Sequence, residues 1–170
     1  MLFRSKDEFK QSLIFLKAEE IFKLTNAIVK AIPEDNKYLQ ETTARFMYEN
    51  ALIIPAKLAG AMSIDLYDLQ MEAAAIIRKN ARELYVMVGS LRFDDDFKEK
   101  EYIELLRNAI DEFRLLFVDW VATFDPWNYI IDRWGLFNPP GVSAHDKDPD
   151  DDIPFNREDF FEDFDDNDED

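Results

Sequence analysis

The chain has 170 residues, 47% apolar and 14% aromatic, with no cysteine and a formal net charge of −17. That is enough apolar material for one packed domain and too little length for two large ones, while the missing thiols exclude disulfides and thiolate metal sites. The acidity argues against the basic footprint that phosphate-backbone binding requires, yet it is uneven: residues 142–170 hold 14 acidic and 2 basic residues, a net of −12, which leaves −5 for residues 1–141.

The opening MLFRSKDEFK lacks the uninterrupted apolar core of a signal peptide, and no run approaches the roughly 18 apolar residues of a membrane span, so a soluble cytoplasmic protein with no membrane partner is expected. Ser5 and Glu8 have capping-box spacing and open a predicted helix over residues 6–32, with Phe9, Leu13, Leu16, Leu24 and Ile28 on one face and Ile14, Ile21 and Ile32 widening it. Pro33 stops it.

A second periodic segment carries Leu39, Phe46, Met47, Ile53, Ile54, Leu58 and Ala59. Pro55 inside it predicts a kink, not two helices. Ser63 has the chemistry of an N-cap for a third helix reaching Arg92, on which Leu66, Leu69, Ala73, Ile76, Ile77, Leu84, Met87, Val88 and Leu91 face inward and Asp68, Arg78, Lys79 and Arg82 outward. Asn80 projects toward the buried side, where a lone amide fixes register or partner choice. Met71, Ala75, Val86 and Gly89 form a second, outward stripe of small and apolar residues, a candidate subunit contact weighed against an ordinary surface.

After an acidic connection with a cap-like Asp96 and Glu99, a fourth helix has a broad apolar face from Tyr102 through Phe113 and Trp120 to Phe124. Asp125 and Pro126 then read as the start of a short fifth helix carrying Trp127, Ile130, Ile131 and Trp134, whose two tryptophans would lid the core, followed by a linker to Gly141. The expected organisation is all-α: an antiparallel up-down-up-down four-helix bundle over residues 1–124, the capping helix and linker over 125–141, and an acidic, largely disordered tail over 142–170. In that tail Phe155, Phe160, Phe161 and Phe164 interleave with carboxylates, so they are candidates for docking onto a protein partner.

Residues 18–124 resemble the four-helix-bundle family of proteins encoded in 23S ribosomal RNA intervening sequences, which in turn is similar to the accessory variability protein of diversity-generating retroelements. The resemblance is carried by the helix layout, by Ile54-Pro55-Ala56-Lys57-Leu58-Ala59, by the segment Ser63 through Ala73, and by Gly89-Ser90-Leu91. The family usually has asparagine where Lys57 stands and a Glu-Gly pair where Gly60-Ala61 stands. It implies a ring-like homo-oligomer, often a pentamer, that binds or scaffolds and does not catalyse; the retroelement relative is basic and works with a reverse transcriptase and nucleic acid.

Nothing in the residue pattern points to a catalyst or a cofactor. The single histidine, His145, lies beyond the four helices, so the Glu-x-x-His pairs of a di-iron bundle cannot form, and no glycine-rich phosphate loop is present. Glu49, Glu72 and Glu83 read as solvated or salt-bridged faces. Two functions follow as expectations: a noncatalytic homo-oligomeric interaction module, or a nucleic-acid-associated accessory protein whose tail competes with phosphate for Arg78, Lys79 and Arg82.

Overall fold

The computed structural model describes residues 9–148 and 151–154. Among them the chain is all-helical, without a strand: α1 (Leu13–Ala31), a short α2 (Lys37–Leu39), α3 (Arg45–Ala61), α4 (Tyr67–Ser90) and α5 (Lys100–Val121), of which α1, α3, α4 and α5 are long. A π-helical turn, Gln40–Ala44, joins α2 to α3, and 3-10 turns stand before α1 (Phe9–Gln11) and after α4 (Leu91–Phe93). No described helix is long and apolar enough to cross a membrane.

Each long helix contributes an inward row. α1 supplies Ile21 and Ile28, α3 Met47, Ile54 and Leu58, α4 Ile77, Leu84 and Val88, and α5 Ile103 and Leu106, all with no exposed surface. Withdrawing each such side chain from water is worth about 1.5–3 kcal/mol, which is why the rows face one another. α1 packs on α3 and α5, and α4 packs on α3 and α5; the α3–α4 pairing is the most extensive and α4–α5 the sparsest.

The buried rows differ from the predicted stripes by about one position. On α1 the sequence Ile14, Ala18, Ile21, Thr25, Ile28 is buried, while Leu13 and Leu16 are exposed. Alanine and threonine complete the row because close helix approach favours small side chains there, and Thr25 satisfies its hydroxyl by donating to the Ile21 carbonyl at 2.8 Å. On α3 Phe46 is exposed and Ala51 buried; on α4 Leu69 is exposed, and Asp68, expected outside, is buried. Pro55 lies within α3, which runs on to Ala61 as one helix.

Helix starts also move. Ser12 Oγ accepts from the Phe15 amide at 3.4 Å and caps α1, whereas Ser5 and Glu8 lie outside the described residues. Ser63 does not cap α4: its hydroxyl donates back to the Ala59 carbonyl at 3.2 Å, and α4 begins four residues later. Its first amide, that of Tyr67, donates instead to the Asn128 carbonyl at 2.8 Å. Asp96 and Glu99 make no capping pair; Asp94 Oδ1 accepts the Asp96 amide at 2.9 Å and the Phe97 amide at 3.3 Å, and Asp96 accepts from Asn36 Nδ2 at 2.9 Å.

Residues 125–141 form no helix, contrary to the reading of Trp127, Ile130, Ile131 and Trp134 as helically spaced. The physical reason is Asp132. Its Oδ1 accepts the Trp134 amide and its Oδ2 the Leu136 and Phe137 amides, each at 2.8 Å, while Asn138 exchanges two hydrogen bonds with the Asp132 backbone, at 2.8 and 2.9 Å. A side chain that satisfies three amides removes the need for a helical ladder. Gly135 takes φ +73° inside this turn. The consequence reverses the lid expectation: Trp127 is 89% and Trp134 90% exposed, and Ile131 alone of the four is buried.

Candidate functional site

Four surface features stand out around α4. The first is the α4–α5 seam, a groove of about 540 Å³. Its floor is apolar, with Tyr85, Val86, Phe117 and Val118, and Arg78, Arg82 and Arg114 line it with Asp111. Arg114 pairs with Asp111 on its own helix at 3.5 Å; Arg78 and Arg82 have no ion pair to any described residue. An aromatic ladder, Phe113, Phe117, Trp120 and Phe124, runs on from this floor, with successive ring centroids 6.1, 5.8 and 4.7 Å apart.

The second is a groove of about 420 Å³ between α3 and α4, where Ala56, Gly60 and Ala73 leave room and Ile53, Leu69 and Ile76 supply apolar wall. The third is a cleft of about 580 Å³ between α4 and the Asp132 turn, lined by Asp68, Glu72, Trp134 and Leu136 and again by Leu69. Leu69 and Glu72 belong to both, so the two grooves adjoin across α4, and Leu69 links the apolar wall on α3 to Trp134 and Leu136 with Glu72 beside it. The turn is held to α4 by Asp68, whose Oδ1 accepts the Ile130 amide at 3.0 Å, and by Asn128 Nδ2 donating to the Asp65 carbonyl at 3.1 Å. Arg133 in turn holds residues 144 and 146 by donating to their carbonyls at 3.0 and 2.7 Å.

Among the described residues two groups have displaced titration. The amides aimed at Asp132, that of Phe137 foremost, hold its carboxyl below the usual aspartate range against the opposing effect of desolvation. Lys17 is raised above its ordinary value by hydrogen bonds to Glu112 and then Glu20; its ammonium lies 2.5 Å from Glu112 and ties α1 to α5.

The fourth feature, a cleft of about 760 Å³, lies on the other side of α4, where Asn50 and Asn80 meet Glu49, Lys79 and Glu83. Its carboxylates are engaged locally: Glu49 with Arg45 at 2.9 Å and Glu83 with Lys79 at 3.0 Å. Asn80 is buried as expected, but its amide donates to the Ile76 carbonyl of its own helix at 2.8 Å, and Asn50 donates to Met87 Sδ at 3.7 Å. Among the described residues no buried side-chain polar atom lacks a partner, and no cluster of three His, Cys, Asp or Glu could hold a metal ion.

The candidate residues of α4 are divided by this geometry. Arg78, Arg82 and Val86 form a ridge that borders both the seam and the 760 Å³ cleft, while Lys79 lines the cleft alone and is paired with Glu83. Of the outward stripe, Val86 is 69% exposed, Met71 and Ala75 are half-buried, and Gly89 faces α5: a Cβ on it would sit 2.7 Å from Arg107 Nη1. The guanidinium of Arg107 lies 3.6 Å from the Tyr85 ring centroid and donates to the Tyr85 carbonyl at 3.0 Å, so the glycine makes room for a contact within the chain. Phe155, Phe160, Phe161 and Phe164 lie outside the described residues. Sequence reasoning missed Arg114, Arg107 and Asp132. Arg114 was legible in principle, since it follows the buried Phe113 on a strongly patterned helix.

No known protein family, curated protein or solved structure matches the chain.

Proposed function

We propose that α1, α3, α4 and α5 form one antiparallel, up-down-up-down bundle that works without catalysis as a self-associating interaction or scaffold module. Short connections, the closed circuit of helix pairings and the Lys17–Glu112 tie between the first turns of α1 and the middle of α5 support the topology. The observation that carries the function is the apolar surface running from the α3–α4 groove through Leu69 to Trp134 and Leu136. An ordered turn that holds a tryptophan 90% exposed gains nothing from it in folding, and aromatic side chains of this kind anchor interfaces. The ring-like homo-oligomer implied by the family resemblance is in keeping with this surface. Light scattering on the full chain at tens of micromolar should give a mass that is a multiple of 20.1 kDa, and Trp134→Ser with Leu69→Ser should return it to one chain. A single-chain mass for the unsubstituted protein would remove the proposal.

A second reading, an accessory protein of a reverse-transcriptase or ribosomal-RNA system with an autoinhibitory acidic tail, is favoured by Arg78, Arg82 and Arg114 converging on one groove. Removing residues 155–170 should then expose RNA or DNA binding whose affinity falls steeply with salt. Equal binding before and after removal counts against it.

A further inference from the structure

We infer that the α4–α5 seam is the docking site for this chain's own segment 155–170, which binds it in cis. The inference deepens the second reading by naming the groove and the side chains that its tail would occupy; it requires neither self-association nor nucleic-acid binding, so its test can fail or succeed separately from theirs.

Chemical complementarity is the first argument. The groove has an exposed apolar floor, with Val86 69% and Val118 60% exposed, and arginines on both of its helices. Arg78 and Arg82 are left without an ion pair to any described residue, and the Arg114 pair with Asp111 is solvent-exposed on both sides and held at 3.5 Å, which makes it weak. The segment 155–170 presents the converse pattern: nine acidic residues against one arginine, with Phe160, Phe161 and Phe164 set among them. Phenylalanines spaced at i, i+1 and i+4 share one helical face, and carboxylates flank them. Such a segment places rings on the floor and charge against the guanidiniums, which neither a purely acidic nor a purely apolar segment would do.

Reach is the second argument. Arg133 holds the carbonyl of Asp146, and the same turn is bonded to Asp68 at the start of α4. The Arg78 end of the seam is ten residues further along α4, about 15 Å. From Asp146 to Phe160 is fourteen residues, which extend to at most about 46 Å, so the tether spans the distance with ample slack. A tether of this length gives an effective concentration on the order of 1 mM, so an intrinsic dissociation constant as weak as about 0.1 mM leaves roughly nine-tenths of the molecules docked.

The absence of cysteine makes the test direct. A spin label attached at Asn167→Cys in the full chain should broaden the methyl signals of Val86 and Val118 while sparing Ile14 and Leu58. Because broadening follows the docked population, it should fall about tenfold in Phe160→Ser/Phe161→Ser/Phe164→Ser and in Arg78→Glu/Arg82→Glu/Arg114→Glu. Both sets change tail or exposed side chains, and unchanged helical circular dichroism verifies that the fold is intact. Broadening that is missing at both valines, spread evenly over all helices, or centred on Trp134 overturns the inference. So does broadening seen only when an isotope-labelled chain without the spin label is mixed with a spin-labelled one, since the segment would then be docking on a second copy.

Discussion

Gly89 and Gly60 are both helical glycines, yet their surroundings differ in a way that sets opposite expectations. Replacing a mid-helix glycine by alanine gains about 0.5–1 kcal/mol from chain entropy alone, and at these next-to-last positions of α3 and α4 the gain is at most that much. At Gly60 nothing lies within 4 Å of the new Cβ, so Gly60→Ala should realise that gain in urea denaturation. At Gly89 the methyl meets the end of Arg107, and displacing it loses a hydrogen bond worth about 0.5–1.5 kcal/mol and a stacked cation, so Gly89→Ala should be neutral or destabilising. Equal gains at the two sites would show that Arg107 is not held as described. Asp132 yields a pH expectation at the same scale. Its folded carboxyl titrates below an unfolded aspartate, so its stabilisation of the turn is complete above the ordinary aspartate range and lost as pH falls through the lower folded value. The amide resonances of Trp134, Leu136 and Phe137 should shift together through that acid transition, and Asp132→Asn should abolish the common midpoint.

The connection between α4 and α5, residues 91–99, illustrates what periodicity alone cannot disclose. Phe97 lies in a run of aspartates and has no exposed surface, whereas Phe93, four residues earlier in the same run, is 88% exposed. The difference comes from Asp94, which accepts the Phe97 amide and turns the ring inward, and from Lys100, whose ammonium donates to the carbonyls of Leu91, Arg92 and Asp94. Phe97→Ala should therefore cost about 3–5 kcal/mol in thermal or chemical denaturation, and Phe93→Ala less than about 0.5 kcal/mol. Helix existence was legible because four long apolar rows recur at helical spacing. Their phase was not, since small residues such as Ala18, Ala51 and Ala81 mark closest approach as surely as leucines do. The false fifth helix has a related origin: its spacing is helical, but the competing side-chain-to-backbone bonds of Asp132 and Asn138, within six residues, are information that a periodic pattern does not contain. Asp68 shows this most plainly, as its burial depends on an amide 62 residues away.

For the molecule as a whole, the charge of −17 acts oppositely on the two surfaces proposed to bind. Copies of so acidic a chain repel one another, and screening that repulsion favours contact through the apolar face containing Leu69 and Trp134, since apolar burial carries no salt penalty. The seam works in reverse, because its attraction is between arginines and carboxylates and weakens as the screening length falls from about 10 Å at 0.1 M to about 3 Å at 1 M. Raising sodium chloride across that range should increase the light-scattering mass at fixed concentration while reducing spin-label broadening at Val86 and Val118. Parallel changes, with both contacts loosening, would place charged groups at the centre of self-association and shift the subunit contact from the Leu69–Trp134 face to the arginine seam.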